Sequence, residues 1–469
     1  MGIKAVALLP ALLLGVLSAS ACTVFCGMDH RGHVLVANTE DHRPNMRIYF
    51  KVKAATDSTY GFFGTTYNHP DGVLQGGSND QGLFFDTNEL GAVPLRKTAG
   101  TKEYNLPVDP GSYVLQHCRS VQDVIDFFNT YRLEYPAQVH VADKSGQLAI
   151  INNDTILRTT GKFQLTTNFH PLRHDIGVYP CWRYDTVSQL IGQKGVSPAS
   201  FEEAMFATIR HENTMTIYSN LGDLATGDWT YYAYGYREAT FRFNIHELLK
   251  EGDKTVLLRD LFTDHPYLKY YTLALTKGTE TAVAAWKEDR VQYTMLQRYE
   301  IPKVMVWNYL FWETDYEAAG RWLEPWWSEV DNPTAEDWMT RSVVQLMRGQ
   351  EEAVASLEKW RALSAGSETA LHYTAFLNGR YNNAGRLKLR LPGYKDARVV
   401  TVGGLSSNPN YYLMHRAADG WEIAIDASAG YKTYYFLVDG KKVLDPRNPV
   451  KQVIPMVAGP EEMNIIKVE

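Results

Sequence analysis

Ala19-Ser20-Ala21-Cys22-Thr23 is the stretch on which the reading of this 469-residue chain turns. Upstream, Lys4 supplies a minimal positive n-region and Ala5 to Leu17 an apolar run of h-region length. Ala19 and Ala21 then form the small-x-small site that signal peptidases cut. Cleavage after Ala21 would make Cys22 the new N-terminus. Such a cysteine carries nucleophile and base together, because an α-amine of pKa about 7.7 to 8.0 can take the thiol proton near neutral pH. Two other readings of Cys22 stand beside this one: an ordinary residue near a mature N-terminus, or the acylated cysteine of a lipoprotein, an anchor with amine and thiol blocked. A lipoprotein signal prefers Leu, Val or Ile three residues before the cysteine, where this chain has Ala19.

Composition sets the frame for that residue. The length allows two or three domains at about 150 residues each. Hydrophobic residues make up 45% and charged residues 21%, the balance of a folded globular protein. A net charge of -6 gives no electrostatic case for nucleic acid or an acidic membrane surface. No apolar run of about 18 residues follows the signal, so no transmembrane segment is expected. With Cys22 set aside, Cys26, Cys118 and Cys181 leave room for one disulfide and no framework. The expectation is a secreted or periplasmic protein.

From Cys22 to about residue 100, β-prone runs such as Thr23-Val24-Phe25, Val34 to Ala37 and Ile48 to Val52 alternate with turn clusters. Ser120 and Asp123 pair as a capping box before Val121, Val124, Ile125 and Phe128, which repeat at helical spacing. Strands return at Gln138 to Val141 and Leu148 to Ile151. Helices are expected at Arg183 to Leu190 and Phe201 to Ile209, and strands again at Thr214 to Tyr218 and Trp229 to Tyr236. This order predicts an α+β domain with helices outside paired sheets. From about 300 to 380 the period becomes 3.6, with helices at Tyr316 to Trp327, Thr334 to Met347 and Glu351 to Leu363, broken by Pro333 and Gly349. Seven of the eleven tryptophans lie between Trp307 and Trp360 and are expected to be core, not a ligand platform. After Ala384, short alternating strands and the primed hairpin turn Asp439-Gly440 predict a β-sandwich. The expected divisions are 1–21, 22–300, 301–383 and 384–469.

Other catalytic templates are missing: no Gly-x-Ser-x-Gly elbow, His-Glu-x-x-His, P-loop or Cys-x-x-Cys occurs. His30, His33 and His42 have no spacing that specifies a metal. The cysteine end remains. Cys22-Thr23-Val24-Phe25 and Val36-Ala37-Asn38-Thr39-Glu40-Asp41 resemble the N-terminal signature of the choloylglycine hydrolase and penicillin V acylase superfamily, the linear amide C-N hydrolases. The resemblance continues through Gln75 to Leu83, Leu165 to His170, Trp182-Arg183-Tyr184 and Thr216 to Leu224, in order over about residues 22 to 250.

The resemblance implies an N-terminal nucleophile (Ntn) hydrolase fold of αββα layers and a set of roles. Cys22 would attack the carbonyl of a small N-acyl amide, its amine serving as base and then acid. Asp41 would orient that amine. Asn88 would donate to the oxyanion, with Asn79 as fallback. Asn168 would position substrate amide or nucleophile, and Arg183 would anchor the site, most plausibly through carboxylates. No metal or organic cofactor is required. Many bile salt hydrolases carry an arginine near the cysteine where this chain has Asn38, which leaves the substrate open and makes Glu40 a second candidate for the acidic role. A dipeptidase or an acyltransferase would use the same nucleophile.

Residues Asp419-Gly420-Trp421, Tyr434 to Gly440 and Asp445 to Pro449 resemble a glycogen-binding type carbohydrate module or a related immunoglobulin-like sandwich. Fold alone does not imply sugar binding, and Trp421 reads first as core, so a structural or docking role is expected there. A lipid-anchored, non-catalytic glycan binder is the alternative from a different class.

Overall fold

The computed structural model describes residues 22–90, 102–132, 137–159, 162–210, 215–262, 265–313, 315–348, 350, 352–364, 387–405, 412–425, 427, 430–439, 441–456 and 459–468. The expected signal segment, Gly349, Ala384 and Gly440 lie outside them. The architecture is α+β, as expected.

Two large antiparallel sheets carry the first half. The strands β1 (Thr23–Met28) and β2 (Val34–His42) lie inside a six-stranded sheet, flanked by Phe163–Thr166 on one side and Met215–Asp223, Asp228–Ala233 and Thr240–Asn244 on the other. The strands β3 (Ile48–Lys53), β4 (Phe62–Tyr67), β5 (Leu74–Asn79) and β6 (Leu83–Glu89) build the centre of an eight-stranded sheet. Ala137–Asp143, Leu148–Ile151 and Ile156–Arg158 extend it beyond β6, and Lys254–Leu257 closes it beside β3.

Strand alternation explains the layers. In β1 and β2, Val24, Cys26, Val34 and Val36 face the other sheet and pack with Phe50, Phe63 and Phe84. The intervening Phe25, Leu35 and Ala37 face outward onto Val187, Ile191, Phe201 and Met205 of helices Trp182–Lys194 and Pro198–Phe206. On the second sheet, Leu83, Phe85, Val139 and Val141 face outward onto Val114, Leu115, Val124 and Ile125 of helices Pro110–His117 and Val121–Thr130. Helix, sheet, sheet, helix is therefore the order of layers. The Ser120–Asp123 capping box is present as read from sequence.

Gly76 and Gly77, which lead into the turn between β5 and β6, lie in β5 itself and have a packing cause. A Cβ on Gly77 would sit 2.1 Å from the Phe63 carbonyl oxygen and 2.7 Å from Gly64 Cα, so β4 and β5 approach as they do only with glycine there.

Helices begin earlier than the periodicity at 300 suggested. Pro266–Lys277, Thr279–Asp289 and Met295–Trp307 precede Tyr316–Trp327, Ala335–Met347 and Ala353–Leu363, and the expected division at residue 300 falls inside the third. Tyr267, Tyr270 and Tyr271 crowd the first of these with residues of middling helix propensity, and Pro302 interrupts the third, so neither reads as a clean helix. Of the seven tryptophans expected as core, Trp307, Trp322, Trp326 and Trp360 are buried, as is Trp286, whereas Trp327 and Trp338 are half-buried and the Trp312 side chain lies outside the described residues. Their cluster is continuous with the inter-sheet core.

Past residue 386, Leu387–Pro392, Gly420–Ile425 and His415–Ala417 form a three-stranded sheet. Tyr412–Leu413, Val400–Gly403, Gly430–Val438, Gly459–Val468 and Lys451–Met456 form a second sheet, from which Lys441–Val443 hangs on Gly430–Val438. Leu389, Leu391, Trp421 and Ile423 of the first share a core with Val400, Val402 and Phe436 of the second. Asp439, at a positive φ of 47°, makes the turn into Lys441–Val443.

Candidate active site

Cys22 immediately precedes β1, and the β1–β2 register pairs Thr23 with Thr39. One step back along that register, Cys22 comes opposite Glu40, and its thiol donates to Glu40 Oε1 at 3.0 Å. Asn38, on the same face of β2, donates through Nδ2 to Glu40 Oε2 at 3.2 Å and to Asp86 Oδ2 at 3.1 Å. Asp86 belongs to β6, so this amide joins the two sheets. The Tyr67 hydroxyl of β4 also donates to Glu40 Oε1. Cys22, Asn38, Glu40 and Asp86 are all buried.

Two carboxyls this close and this dry cannot both hold a charge easily. Burial raises the Glu40 carboxyl to about 7. Burial, then the neighbouring Glu40, holds Asp86 well above the usual carboxylate range. The Cys22 thiol is pushed up by burial first and then by Glu40, Asp41 and Asp86. With residue 21 still attached, the thiol is therefore protonated and a poor nucleophile.

The outward face at the start of β1 holds a second group. Arg183, near the start of helix Trp182–Lys194 and 4% exposed, donates through Nη1 to the Cys22 carbonyl and to Thr23 Oγ1, each at 2.8 Å. Its Nη2 donates to Asn168 Oδ1 at 3.0 Å, and Asn168 Nδ2 donates in turn to the Glu89 carbonyl at 3.0 Å. Asp41 Oδ2 lies 3.6 Å from Arg183 Nη1, and Asp41 Oδ1 accepts from the Thr216 hydroxyl at 2.5 Å. The expected carboxylate contact of Arg183 is thus present as an ion pair. Its hydrogen bonds reach the backbone of the cysteine itself, the Thr23 hydroxyl and Asn168.

Asn88 of β6 points between the sheets. Its Oδ1 accepts from the Thr166 hydroxyl at 2.5 Å, and Thr166 pairs with Val24 across the sheet. Its Nδ2 is buried and has no hydrogen-bond partner among the described residues. The fallback, Asn79, is fully used elsewhere. It donates to the carbonyls of Leu115 and Cys118 and accepts from the backbone of Gln81 and Leu83, which makes it the clamp between the glycine turn and a helix end.

The five residues expected from the sequence thus fall into three places: Cys22 with Glu40, the Arg183–Asn168–Asp41 group behind it, and Asn88 across the gap. Asp86, Tyr67, Thr166 and Thr216 were not singled out from the sequence. Strand alternation from Cys22 through Glu40 and Asn38 would have found the inner face of β2, but nothing in one chain aligns that face with β4 and β6. All four cysteines are free. Among the described residues no group of three or more His, Cys, Asp or Glu could hold a metal ion.

No protein-family model matches the chain, and no curated protein matches it. Among solved structures, a variant of conjugated bile acid hydrolase from Clostridium perfringens aligns with 50% of this chain and 96% of its own at 12% identity, TM-score 0.39. A second variant of that hydrolase gives the same figures. Penicillin V acylase from Agrobacterium tumefaciens aligns with 50% of this chain and 90% of its own at 14% identity, TM-score 0.35.

Proposed function

We propose that this chain is a hydrolase of linear, non-peptide or N-acyl amides, exported and then activated by removal of residues 1–21. The observation that carries this reading is the setting of Cys22. It lies buried at the head of β1, its carbonyl gripped by Arg183, its thiol on Glu40. Asn88 Nδ2, on the facing sheet, is a buried donor without a partner among the described residues.

In the mature chain the Cys22 amine takes the thiol proton, and Sγ attacks the substrate carbonyl carbon. Negative charge moves to the carbonyl oxygen, where the Asn88 N–H donates to it. The C–N bond then breaks, and the amine leaves with the proton held by the α-amine. Water, deprotonated by the same amine, adds to the thioester and releases the acid and the thiol. Asp41 orients the α-amine, while Arg183 and Asn168 hold the cysteine backbone in register. Nothing in this sequence of steps calls on a metal or an organic cofactor.

The test is turnover by the exported protein of a panel of N-acyl amides that includes conjugated bile acids and penicillin V. The wild type is expected to release amine and acid, and Cys22→Ala none. Equal turnover by Cys22→Ala would end the proposal. Added amines separate hydrolysis from acyl transfer, since a transferase would form a new amide in their presence.

A further inference from the structure

A chain of buried side chains runs from Asn88 away from Cys22. Thr166 Oγ1 donates to Asn88 Oδ1 at 2.5 Å, His140 Nδ1 lies 3.0 Å from Thr166 Oγ1, and His140 Nε2 lies 2.7 Å from Cys26 Sγ. Cys26, Asn88 and His140 are 0% exposed and Thr166 3%. The mechanism above uses only its first member. We propose that Thr166, His140 and Cys26 are positioning residues that turn the Asn88 amide so that its N–H, and not its oxygen, faces the reacting carbonyl; this rests on the amide hydrolase reading.

The direction of the chain follows from its parts. An amide presents a donor on one side and an acceptor on the other, and either end of Asn88 could bond a hydroxyl. Thr166 Oγ1 has two acceptors in reach, Asn88 Oδ1 at 2.5 Å and the Val24 carbonyl at 3.5 Å, and the shorter bond takes its single proton; its oxygen is then left to accept, and His140 Nδ1 must carry a hydrogen. Burial holds the imidazole neutral, with its pKa down to about 3, so Nε2 is then the bare acceptor. The remaining partner is a thiol. Sulfur is a weak acceptor, whereas imidazole nitrogen is a good one, so the favourable arrangement is Cys26 S–H donating to Nε2. Burial also keeps that thiol protonated, well above its usual range. Each proton points toward Asn88, the amide oxygen is taken, and Nδ2 is what remains for the substrate. Run in the other sense, the chain would end on sulfur as acceptor and offer an oxygen to a developing oxyanion, which would repel it.

The test uses Thr166→Val, which keeps the shape and removes the hydroxyl, against Thr166→Ser, which keeps the hydroxyl. Losing control of one oxyanion donor is expected to lower kcat by roughly 10- to 100-fold with KM little changed, less than the roughly 100- to 1,000-fold cost of removing such a donor outright. Thr166→Ser is expected to retain most of kcat. In an Asn88→Ala background Thr166→Val should add nothing, because the group it positions is gone. A loss of the same factor in both backgrounds, or a loss confined to KM, would overturn the proposal. Nitrogen-15 shifts of His140 give a readout independent of turnover. They should show a neutral ring with the hydrogen on Nδ1, and Cys26→Ala should disturb that tautomer; a hydrogen on Nε2 in the wild type would also overturn it. If the wild type cleaves no amide while His140 shows the Nδ1 tautomer, the functional reading fails and the chain of bonds remains.

Discussion

Cys22 occupies surroundings hostile to charge until a second group arrives beside it. While residue 21 is attached, the thiol faces Glu40, Asp41 and Asp86 and stays protonated. A variant that cannot be cut after Ala21 should therefore alkylate at Cys22 far more slowly than the mature chain, by at least about tenfold at pH 7.5; equal rates would mean that cleavage plays no part in activation. Glu40 makes a prediction about stability. Its carboxyl, raised from 4.5 to about 7 mainly by burial, binds its proton more tightly folded than unfolded. The stability it contributes is whole below about pH 4.5 and is lost as pH rises through about 7. Glu40→Gln in the intact chain should flatten the fall in thermal midpoint between pH 5 and 8, an effect of order 1–3 kcal/mol. An unchanged slope would remove Glu40 as its source. Arg183→Lys cannot reproduce a fork that meets Cys22 O, Thr23 Oγ1 and Asn168 Oδ1 together, and kcat should fall by about 100-fold as the nucleophile shifts. Cys22, Asp41, Asn168 and Arg183 are proposed from the chain because they sit in recognisable segments, and Asn88 because it follows the Gln75 to Leu83 segment. Their division of labour could not be read there, since Arg183 touches the cysteine backbone only after a helix and two strands have been placed.

The elements show why some of the fold was legible. The Ser120 capping box and the alternation of β1 and β2 are local patterns, and each survives folding because its cause is local. The helices from Pro266 to Trp307 escaped because buried tyrosines and an internal proline mask their period. Gly77 and Asn79 belong to one motif and do different things. Gly77→Ala should cost about 2 kcal/mol or more, since backbone and not a flexible side chain stands in the way of the new Cβ. Asn79→Ala should destabilise by about 1–3 kcal/mol through lost buried hydrogen bonds, with kcat in the folded protein nearly unchanged. Denaturant melts paired with single-turnover rates separate the two effects. A collapse of kcat in folded Asn79→Ala would return it to the oxyanion role.

For the whole molecule, the last sheets are joined to what precedes them through packed contacts. Leu413 and Leu437 belong to the same apolar cluster as the helical tryptophans, and Arg398 reaches Glu317 at 2.9 Å. Trp421 is 4% exposed, donates to the Tyr394 carbonyl and lies under Arg416, so its faces are occupied and cannot stack on a sugar. The order of strands and helices foretold the layered plan because burial patterns repeat along each strand. It did not foretell this docking, which joins surfaces far apart in sequence, Arg398 and Glu317 being separated by 81 residues. The central claim joins compartment, cleavage and chemistry in one residue, and the intact mass of the exported protein, taken together with its turnover of N-acyl amides, tests it most directly. The expected result is a mass equal to Cys22 to Glu469 with an unmodified N-terminus, and amide cleavage that vanishes in Cys22→Ala. A mass increased by acyl chains at Cys22, or turnover that survives Cys22→Ala, would contradict it.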